Sequence, residues 1–251
     1  MSQTVLSFGS SSLQAADLDT LEDREWLNDN IIAFFFELME AQLGEKRKDE
    51  AALWPPSIVE LLCSLSDGEE RDHEGLFPPL RSCAFLPIND RYSSSTHDSI
   101  GTHWSLLVVT DGHAPDIAKA RHYDSLYGHN DRAARRVWYK YHRLIGGSTD
   151  KGNCALDRFE EAKELASQVN ANDCGLYPLV FADLLLLSCS PQPQGAKTIA
   201  AKVLPKDVEA YRKRFRDWTH KWLEYCIKKQ ESWKSWSDVK AHVGDVPRLN
   251  L

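Results

Sequence analysis

The chain has 251 residues, of which 42% are hydrophobic and 27% are charged, and its formal net charge is −7. This composition is typical of a globular chain that can bury a full core. The acidic balance argues against nonspecific binding of nucleic acid. No apolar run reaches the ~18 residues of a membrane-spanning helix, and the N-terminus lacks the basic segment of a secretory signal.

The cysteines do not form a pattern that indicates a metal site or a disulfide framework. Six of them are spread along the chain without a C-x-x-C pair, at Cys63, Cys83, Cys154, Cys174, Cys189 and Cys226. This spacing argues against a zinc site, and a chain of this size does not depend on a disulfide framework for its stability. We therefore expect no metal and no cofactor, and a reducing compartment, the cytoplasm or the nucleus.

The first part of the chain predicts a strand followed by two helices. Apolar residues at 5–8 favour an edge strand. Asn28 or Asp29 can cap a helix that runs to about Leu43, because apolar residues recur there at helical spacing. A shorter helix is predicted over 57–65, directly after two prolines.

The middle of the chain predicts a sheet. Strands are predicted over 81–88, 103–110 and 118–125, with a turn at Asp111-Gly112. The strand over 103–110 carries a continuous apolar run, so it is predicted to be central. Further along the chain, the pattern predicts a helix over 131–145, a short strand over 164–169, and a buried helix over 176–188 that ends at the loop 190–195.

The last part of the chain is predicted to be helical. A helix over 208–228 carries an aromatic stripe of Tyr211, Phe215, Trp218, Trp222 and Tyr225. Such a stripe is more typical of core or of a docking surface than of a ligand site. We expect one α+β domain over 1–251, with 203–251 as a helical C-terminal extension packed on or near it.

The residues around Cys174 are the most informative of the chain. Cys174 follows Asp173 and precedes the apolar segment that is predicted to be a buried helix. A cysteine on its own is usually a small buried hydrophobic residue. At the N-terminus of a helix, however, the helix dipole favours the thiolate, which is the nucleophilic form. We expect Asp173 to cap the helix and Gly175 to allow a substrate backbone to approach closely.

Two further residues complete a candidate site for acyl transfer. His103 begins the central strand and Asp124 ends the next one, so adjacent antiparallel strands would bring a base and its orienting carboxylate together. His122 is the competing base, because its strand parity does not exclude it. Gln168 can offer an amide N–H to the oxyanion of a reacting carbonyl. Together with Cys174 as nucleophile, these residues supply what catalysis through a thioester needs.

Five motifs resemble those of the ubiquitin-like-protein-specific cysteine proteases, the SUMO (sentrin)-specific protease type. They are Trp26-Leu27-Asn28-Asp29 with Ile31-Ile32, Leu86-Pro87-Ile88-Asn89-Asp90, Gly101-Thr102-His103-Trp104-Ser105-Leu106-Leu107-Val108, His122-Tyr123-Asp124-Ser125, and Gln168 with Cys174-Gly175. Their order and spacing cover about residues 20–190. The middle three motifs look closest to the NEDD8-specific branch, the deneddylases.

The resemblance implies a papain-like α+β fold, with the nucleophile at a helix N-terminus and the His and Asp on strands of a central mixed or antiparallel sheet. It implies a cysteine isopeptidase and endopeptidase that cleaves after the C-terminal Gly-Gly of NEDD8, to mature the precursor or to release the modifier from lysine. Cys174 is then the nucleophile, His103 the base, Asp124 the orienting group and Gln168 the oxyanion donor. The implied partners are NEDD8 or another ubiquitin-like modifier and its conjugates, with no nucleic acid and no membrane. We expect a monomer.

The same resemblance implies a set of substrate-binding residues. Trp26 and Trp104 would clamp the Gly-Gly tail in a tunnel that only glycines pass, and Asp29 would contact an arginine near the C-terminus of the modifier. The segment 90–102 would be a loop that orders on substrate binding. Asn89, Asp90 and Gly101 lie at its ends and are counted with the binding residues.

Two features depart from the family pattern. Pro178 falls in the first turns of the nucleophile helix, where an apolar residue is usual, and its missing N–H is expected to kink the helix or delay its start. The segment 190–251 is longer and more aromatic than in a minimal deneddylase.

Three alternatives remain open at the level of sequence. The modifier could be SUMO or ubiquitin in place of NEDD8. The same clan of folds includes enzymes that use a His-acid-Cys site to transfer acetyl groups, although no basic motif for the phosphates of coenzyme A is present. A non-catalytic modifier-binding module is the third alternative, and such a module would normally have lost one of Cys174, His103 and Asp124.

Overall fold

The computed structural model describes residues 4–44, 47, 49–93, 101–147, 155–187, 200–229 and 235–248. In these ranges the strands form two sheets. A hairpin joins β1 (Thr4–Phe8) to β2 (Ser11–Gln14). The larger sheet contains β3 (Ala51–Leu53), β4 (Cys83–Asn89), β5 (Trp104–Thr110), β6 (Lys119–Tyr123) and β7 (Phe159–Glu161), side by side in that order.

The larger sheet is mixed, as predicted for an α+β fold. Its inner pairs β4–β5 and β5–β6 are antiparallel, while the outer pairs β3–β4 and β6–β7 are parallel. Strand β5 is central, and both of its faces are buried. Leu106 and Val108 join the core on one face, and Leu107 and Val109 join the core on the other. Burial on both faces explains the continuous apolar run and confirms the predicted central strand.

Helices cover both faces of this sheet. They are α1 (Ala15–Asp19), α2 (Asp29–Leu43), α3 (Pro56–Ser64), α4 (Asp131–Leu144), α5 (Leu176–Leu187), α6 (Pro205–Lys229) and α7 (Trp236–His242). The five predicted helices, α2 to α6, are confirmed with small shifts at their ends. Asn28 caps α2 by accepting a hydrogen bond from the backbone N–H of Ile31. No helix in the described ranges is long and apolar enough to cross a membrane.

One predicted strand is wrong, and several short elements were not predicted. The strand expected over 164–169 is absent, since that segment forms turns and irregular chain. The chain pairs with β6 earlier, over Phe159–Glu161, where the pattern is not distinctly apolar. The unpredicted elements are β2, β3, α1 and α7, each too short to show a clear period. The loop expected at 190–195 lies outside the described residues.

Helix α6 packs against the same core as α2 and α5. Its apolar stripe is buried there, with the Phe215 ring 4.0 Å from that of Phe35 and the Trp222 ring 5.4 Å from that of Phe34. Each such burial stabilises the fold by roughly 1.5–3 kcal/mol. The stripe is therefore core. On this basis we propose that residues 1–251 form one domain, with 203–251 as a helical C-terminal extension packed on it.

Candidate active site

Cys174 lies in a single 3-10 turn, Asp173–Gly175, that leads directly into α5. Its side chain is only 3% exposed. The free backbone N–H groups at the start of a helix attract negative charge, so the thiol lies where an anion is stabilised. This location results from the sequence, because the apolar helix α5 is buried in the core and the turn that precedes it is buried with it.

The residues around Cys174 differ in role from what the sequence suggested. Asn172, not Asp173, precedes the turn as its N-cap residue. The Asp173 carboxylate instead accepts hydrogen bonds from Arg212 and Asn170. Asn170 also accepts, through Oδ1, from the backbone N–H groups of Asn172 and Asp173 at 3.0 Å each. The turn is therefore held by side chains outside it.

Pro178 does not disrupt the helix. Because α5 begins at Leu176, Pro178 is its third residue. The first four N–H groups of a helix have no acceptor within the helix, so a proline there forfeits nothing. The helix begins at Leu176, as the sequence predicts, and Cys174 lies in the turn immediately before it.

His103 and Asp124 meet at the ends of neighbouring strands. His103 lies one residue before β5, and Asp124 lies one residue after β6. Their side chains are 2.6 Å apart between Nε2 and Oδ1, and both are buried. The antiparallel register that pairs Leu106 with Tyr123 brings these two ends together.

The imidazole of His103 also forms a hydrogen bond with Cys174. With Nε2 committed to Asp124, Nδ1 is the ring nitrogen left for the thiol. Burial opposes a positive charge on His103, but the hydrogen bonds with Asp124 and Cys174 outweigh it and raise the pKa of His103 from 6.5 to about 9. An imidazolium is therefore the favoured form at neutral pH.

Asp124 stays ionised beside this imidazole. Burial favours its neutral form, but hydrogen bonds from His103 and from the backbone N–H of Asn130 hold the pKa of the carboxyl below its usual value. The N–H of Leu126 donates to Oδ1 at 2.9 Å as well. These three hydrogen bonds all come from donors, which fixes both the charge and the orientation of the carboxylate.

Asn130 connects the two strands behind these residues. Its side-chain amide donates to the carbonyl oxygens of Ile88 and His103 and to the hydroxyl of Ser105, at 3.2, 3.3 and 2.9 Å. Its backbone N–H donates to Asp124 Oδ2 at 3.0 Å. One buried residue therefore holds the backbone of the histidine and the side chain of the aspartate.

Gln168 is held by Ser125, the residue after Asp124. The Ser125 hydroxyl donates to Gln168 Oε1 at 2.7 Å, and the backbone N–H of Gln168 donates to the Ser125 carbonyl at 3.0 Å. The amide nitrogen of Gln168 donates one hydrogen to the Asn170 carbonyl at 2.8 Å. A primary amide carries two N–H donors, so the orientation of Gln168 is fixed while a second hydrogen remains.

The segment that carries Trp26 approaches the Cys174 turn closely. A Cβ atom added at Gly175 would lie 2.7 Å from Cβ of Leu27. Gly175 therefore makes room for Leu27, and the close approach of a substrate backbone to Gly175 stays a prediction. Trp26 itself is 47% exposed, whereas Trp104 is 7% exposed and packs in the core.

Hydrogen bonds hold the two ends of the predicted substrate loop together beside the sheet. Asp90 accepts hydrogen bonds from the N–H and hydroxyl of Thr102 at 2.8 and 2.6 Å and from the N–H of His103 at 3.3 Å. Asn89 is buried, and a Cβ atom at Gly101 would collide with its amide. These residues hold the backbone before His103. Residues 94–100 of this loop lie outside the described ranges.

Two remaining candidates have clear positions. Asp29 is the first residue of α2, and its half-exposed carboxylate lies 3.8 Å from Arg91 Nη2. His122 is fully buried in the sheet, with Nε2 2.8 Å from Ser105 Oγ and Nδ1 2.7 Å from Glu161 Oε1. Both nitrogens of the competing histidine are thus engaged away from Cys174. Within the described residues, no cluster of His, Cys, Asp or Glu could hold a metal ion.

Sequence reasoning missed the residues that support this arrangement. They are Ser125, Asn130, Asn170 and Arg212. Ser125 is the last residue of a recognised motif and Asn170 lies between Gln168 and Cys174 of another, but neither was given a role in the site. Asn130 and Arg212 act through contacts between elements that are distant in the chain, for which a single sequence carries no signal.

Comparison with known proteins identifies the family. Residues 79–221 match the model of the Ulp1 protease family, C-terminal catalytic domain. The chain belongs to the Ulp1 protease family. It is a cysteine protease, as predicted.

Two curated relatives of this Ulp1-family chain illustrate the range of similarity. Sentrin-specific protease 8 of Homo sapiens is 33% identical over 187 residues, which cover 74% of this chain and 82% of the relative. NEDD8-specific protease 1 of Arabidopsis thaliana is 25% identical over 185 residues, which cover 72% of this chain and 74% of the relative.

Solved structures of the Ulp1 type share the fold. A de-sumoylating protease superposes with a TM-score of 0.61 at 16% identity, covering 95% of this chain and 98% of the other. The C-terminal Ulp1 protease domain in complex with Smt3, the yeast orthologue of SUMO, gives a TM-score of 0.54 at 16% identity, covering 82% and 89%. These likenesses confirm the predicted α+β fold of the papain-like type.

Proposed function

We propose that this chain is a deneddylase, a cysteine isopeptidase and endopeptidase that cleaves after the C-terminal Gly-Gly of NEDD8. The proposed chemistry rests on three buried side chains, in which His103 forms hydrogen bonds with both Cys174 and Asp124. The choice of modifier is supported by the relative named as a NEDD8-specific protease and by the motif resemblance. Its products are a matured modifier or a modifier released from lysine.

In the first half of the reaction, the Cys174 thiolate attacks the carbonyl carbon of the terminal glycine. The C–N bond then breaks, the departing amine takes a proton from the His103 imidazolium, and a thioester remains. The raised pKa of His103, about 9, supports this role because the ring is charged when the amine leaves. Asp124 keeps the ring in one orientation and stabilises its charge.

In the second half, water hydrolyses the thioester. Neutral His103 takes a proton from the water, whose oxygen attacks the same carbonyl carbon. The C–S bond breaks, the modifier leaves as a carboxylic acid that releases its proton to water, and Cys174 returns as a thiolate beside the imidazolium. In both halves the oxyanion accepts a hydrogen bond from the second amide N–H of Gln168. The orientation of Gln168 by Ser125 supports this assignment.

The tail of the modifier lies between Trp26 and Trp104 in this proposal. The exposure of Trp26 suits a wall that a ligand covers, and the burial of Trp104 suits a rigid opposite wall. Asp29 contacts an arginine of the modifier, which its half-exposed carboxylate supports. Asn89, Asp90 and Gly101 set the ends of the loop above the tail.

The proposed partners are NEDD8 and its conjugated proteins, with no nucleic acid and no membrane. The net charge of −7 supports the first exclusion. In this proposal the enzyme acts as a monomer in the cytoplasm or the nucleus.

A SUMO-type modifier is the second candidate, because a relative is named sentrin-specific and a structural neighbour is described as de-sumoylating. The deciding experiment exposes the purified chain, side by side, to NEDD8, SUMO and ubiquitin that each carry a C-terminal electrophile. We expect a covalent adduct with the NEDD8 probe that is absent in Cys174→Ala. Labelling by the SUMO or ubiquitin probe alone would show that the protease is specific for that modifier in place of NEDD8. Labelling by none of the probes would overturn the proposal.

A further inference from the structure

Arg212 is a buried arginine on α6 that contacts the Cys174 turn. It is 2% exposed, and its guanidinium forms five hydrogen bonds. Two of them reach Oδ1 of Asp173, from Nε at 3.1 Å and from Nη2 at 3.0 Å, and Nη2 also donates to the Asn172 carbonyl at 3.1 Å. Arginine has five N–H donors in a fixed plane, so it can bind several acceptors at defined positions.

The other side of the same guanidinium holds a different segment. Nη1 donates to the carbonyl oxygens of Thr20 and Glu22 at 3.1 and 3.0 Å. These residues lead directly to Arg24, whose carbonyl accepts a hydrogen bond from the Asn172 side chain, and then to Trp26. Arg212 therefore lies between the turn that carries Cys174 and the segment that carries Trp26.

We propose that Arg212 is a positioning residue of the protease site, which sets the Cys174 turn against both His103 and the Trp26 segment. The inference rests on the proposed function, in which Cys174 attacks and Trp26 borders the modifier tail. It gives helix α6, which lies outside the catalytic motifs, a part in catalysis, although none of its residues is proposed to touch the reacting atoms.

The chemistry of the contact explains why another residue cannot replace Arg212. Lysine carries one ammonium group, which cannot reach a carboxylate and three carbonyl oxygens in different directions. Loss of the guanidinium would also leave the Asp173 carboxylate buried and unpaired, next to Cys174 in the chain. Both effects displace the turn relative to His103.

The next turn of the same helix supplies a matched control. Arg216 forms ion pairs with Glu22 and Asp23 at 3.0 and 2.8 Å, on the same N-terminal segment. Both carboxylates are at least half exposed, and exposed pairs of this kind contribute little. These ion pairs join Arg216 to the N-terminal segment and not to the Cys174 turn, so Arg216→Met removes an arginine from α6 and leaves the proposed positioning intact.

The test compares Arg212→Lys, Arg212→Met and Arg216→Met with the wild type, at a temperature where thermal unfolding shows each to be folded. The first readout is the rate at which iodoacetamide alkylates Cys174 at neutral pH, which needs no modifier. The second is kcat and KM for NEDD8 joined to a fluorogenic amine. We expect slower alkylation and a fall in kcat of about 10²-fold for the Arg212 variants, and values within about twofold of wild type for Arg216→Met.

The double variant Arg212→Met with Asp173→Asn separates positioning from stability. Removal of both charges eliminates the unpaired buried carboxylate, so the melting temperature should recover toward wild type while kcat stays low. Recovery of kcat in step with the melting temperature would overturn the proposal, as would wild-type alkylation in Arg212→Lys. A wild type that is alkylated rapidly but hydrolyses no NEDD8 would instead overturn the proposed substrate, and the alkylation comparison would still decide the role of Arg212.

Discussion

His103 and Asp124 are joined by a 2.6 Å contact between Nε2 and Oδ1 in the buried interior, at the ends of two antiparallel strands. The contact raises the pKa of the imidazole and leaves Nδ1 for Cys174. Because strands β5 and β6 are pinned by their register and by Asn130, the pair is rigid. A rigid pair does not have to reorganise when charge develops during the reaction, so the activation free energy contains no such cost.

Asp124→Asn should lower kcat by about 10²–10⁴-fold. The neutral amide cannot accept from His103, Leu126 and Asn130 as the carboxylate does, so the tautomer and charge of the ring are lost. The measurement is kcat for NEDD8 joined to a fluorogenic amine. Asp49→Asn, which alters a largely exposed carboxylate paired with Arg81, is the control and should keep the wild-type rate. A wild-type rate in Asp124→Asn would mean that another group orients His103.

The pH profile of kcat/KM should fall on its alkaline side through about pH 9. His103 loses its proton there, because its pKa is raised from 6.5 to about 9, and the imidazolium is then no longer available to the leaving amine. Asp124→Asn removes a hydrogen bond that raises this pKa, so the alkaline fall should move to lower pH in that variant. An alkaline limb unmoved by the substitution would contradict the assignment of His103 as the titrating group.

Gly175→Ala should impair both folding and activity. The added Cβ would lie 2.7 Å from Cβ of Leu27, so the Cys174 turn and the segment with Trp26 must separate. Overpacking of this kind costs about 1–3 kcal/mol of unfolding free energy, measured by denaturant titration. Gly75→Ala is the matched control, since nothing lies within 4 Å of its added Cβ. Equal effects of the two substitutions would show that the contact with Leu27 is unimportant.

Trp26→Ala should raise KM while leaving the melting temperature close to wild type. Its ring is 47% exposed, so little core is lost when it is removed, whereas a modifier tail would lose a wall. Trp104→Ala should lower the melting temperature as well, because that ring is packed in the core. Leu76→Ala, another exposed apolar side chain, is the control. An unchanged KM in Trp26→Ala would show that Trp26 does not contact the modifier tail.

The sequence predicts the elements with strong local patterns and the motif residues that lie on them. The apolar run after His103 indicates a central strand, and the segment after Cys174 indicates a buried helix; both are confirmed. The strand expected over 164–169 fails because β7 has only three residues and is defined by its partner β6. Short strands are set by pairing across the sheet, which local periodicity does not encode.

The supporting residues of the site are beyond sequence reasoning for a different physical reason. Arg212 lies 38 positions after Cys174 along the chain, within a helix whose aromatic residues dominate its pattern. Its role depends on how α6 packs, which brings its guanidinium to Asp173 and to the carbonyl of Thr20. Pro178 illustrates the opposite case, because the helix begins at Leu176 as the sequence predicts and the proline therefore lies among the first N–H groups, which have no acceptor within the helix.

The most direct test of the proposed chemistry is the initial rate at which the chain releases a fluorogenic amine from the C-terminal glycine of NEDD8. Cys174→Ala should abolish release, because the substitution removes the sulfur on which the proposed thioester forms. Cys63→Ala should retain it, because Cys63 is buried against the opposite face of the sheet and burial raises the pKa of its thiol to about 12. Release by Cys174→Ala at the wild-type rate would contradict Cys174 as the nucleophile.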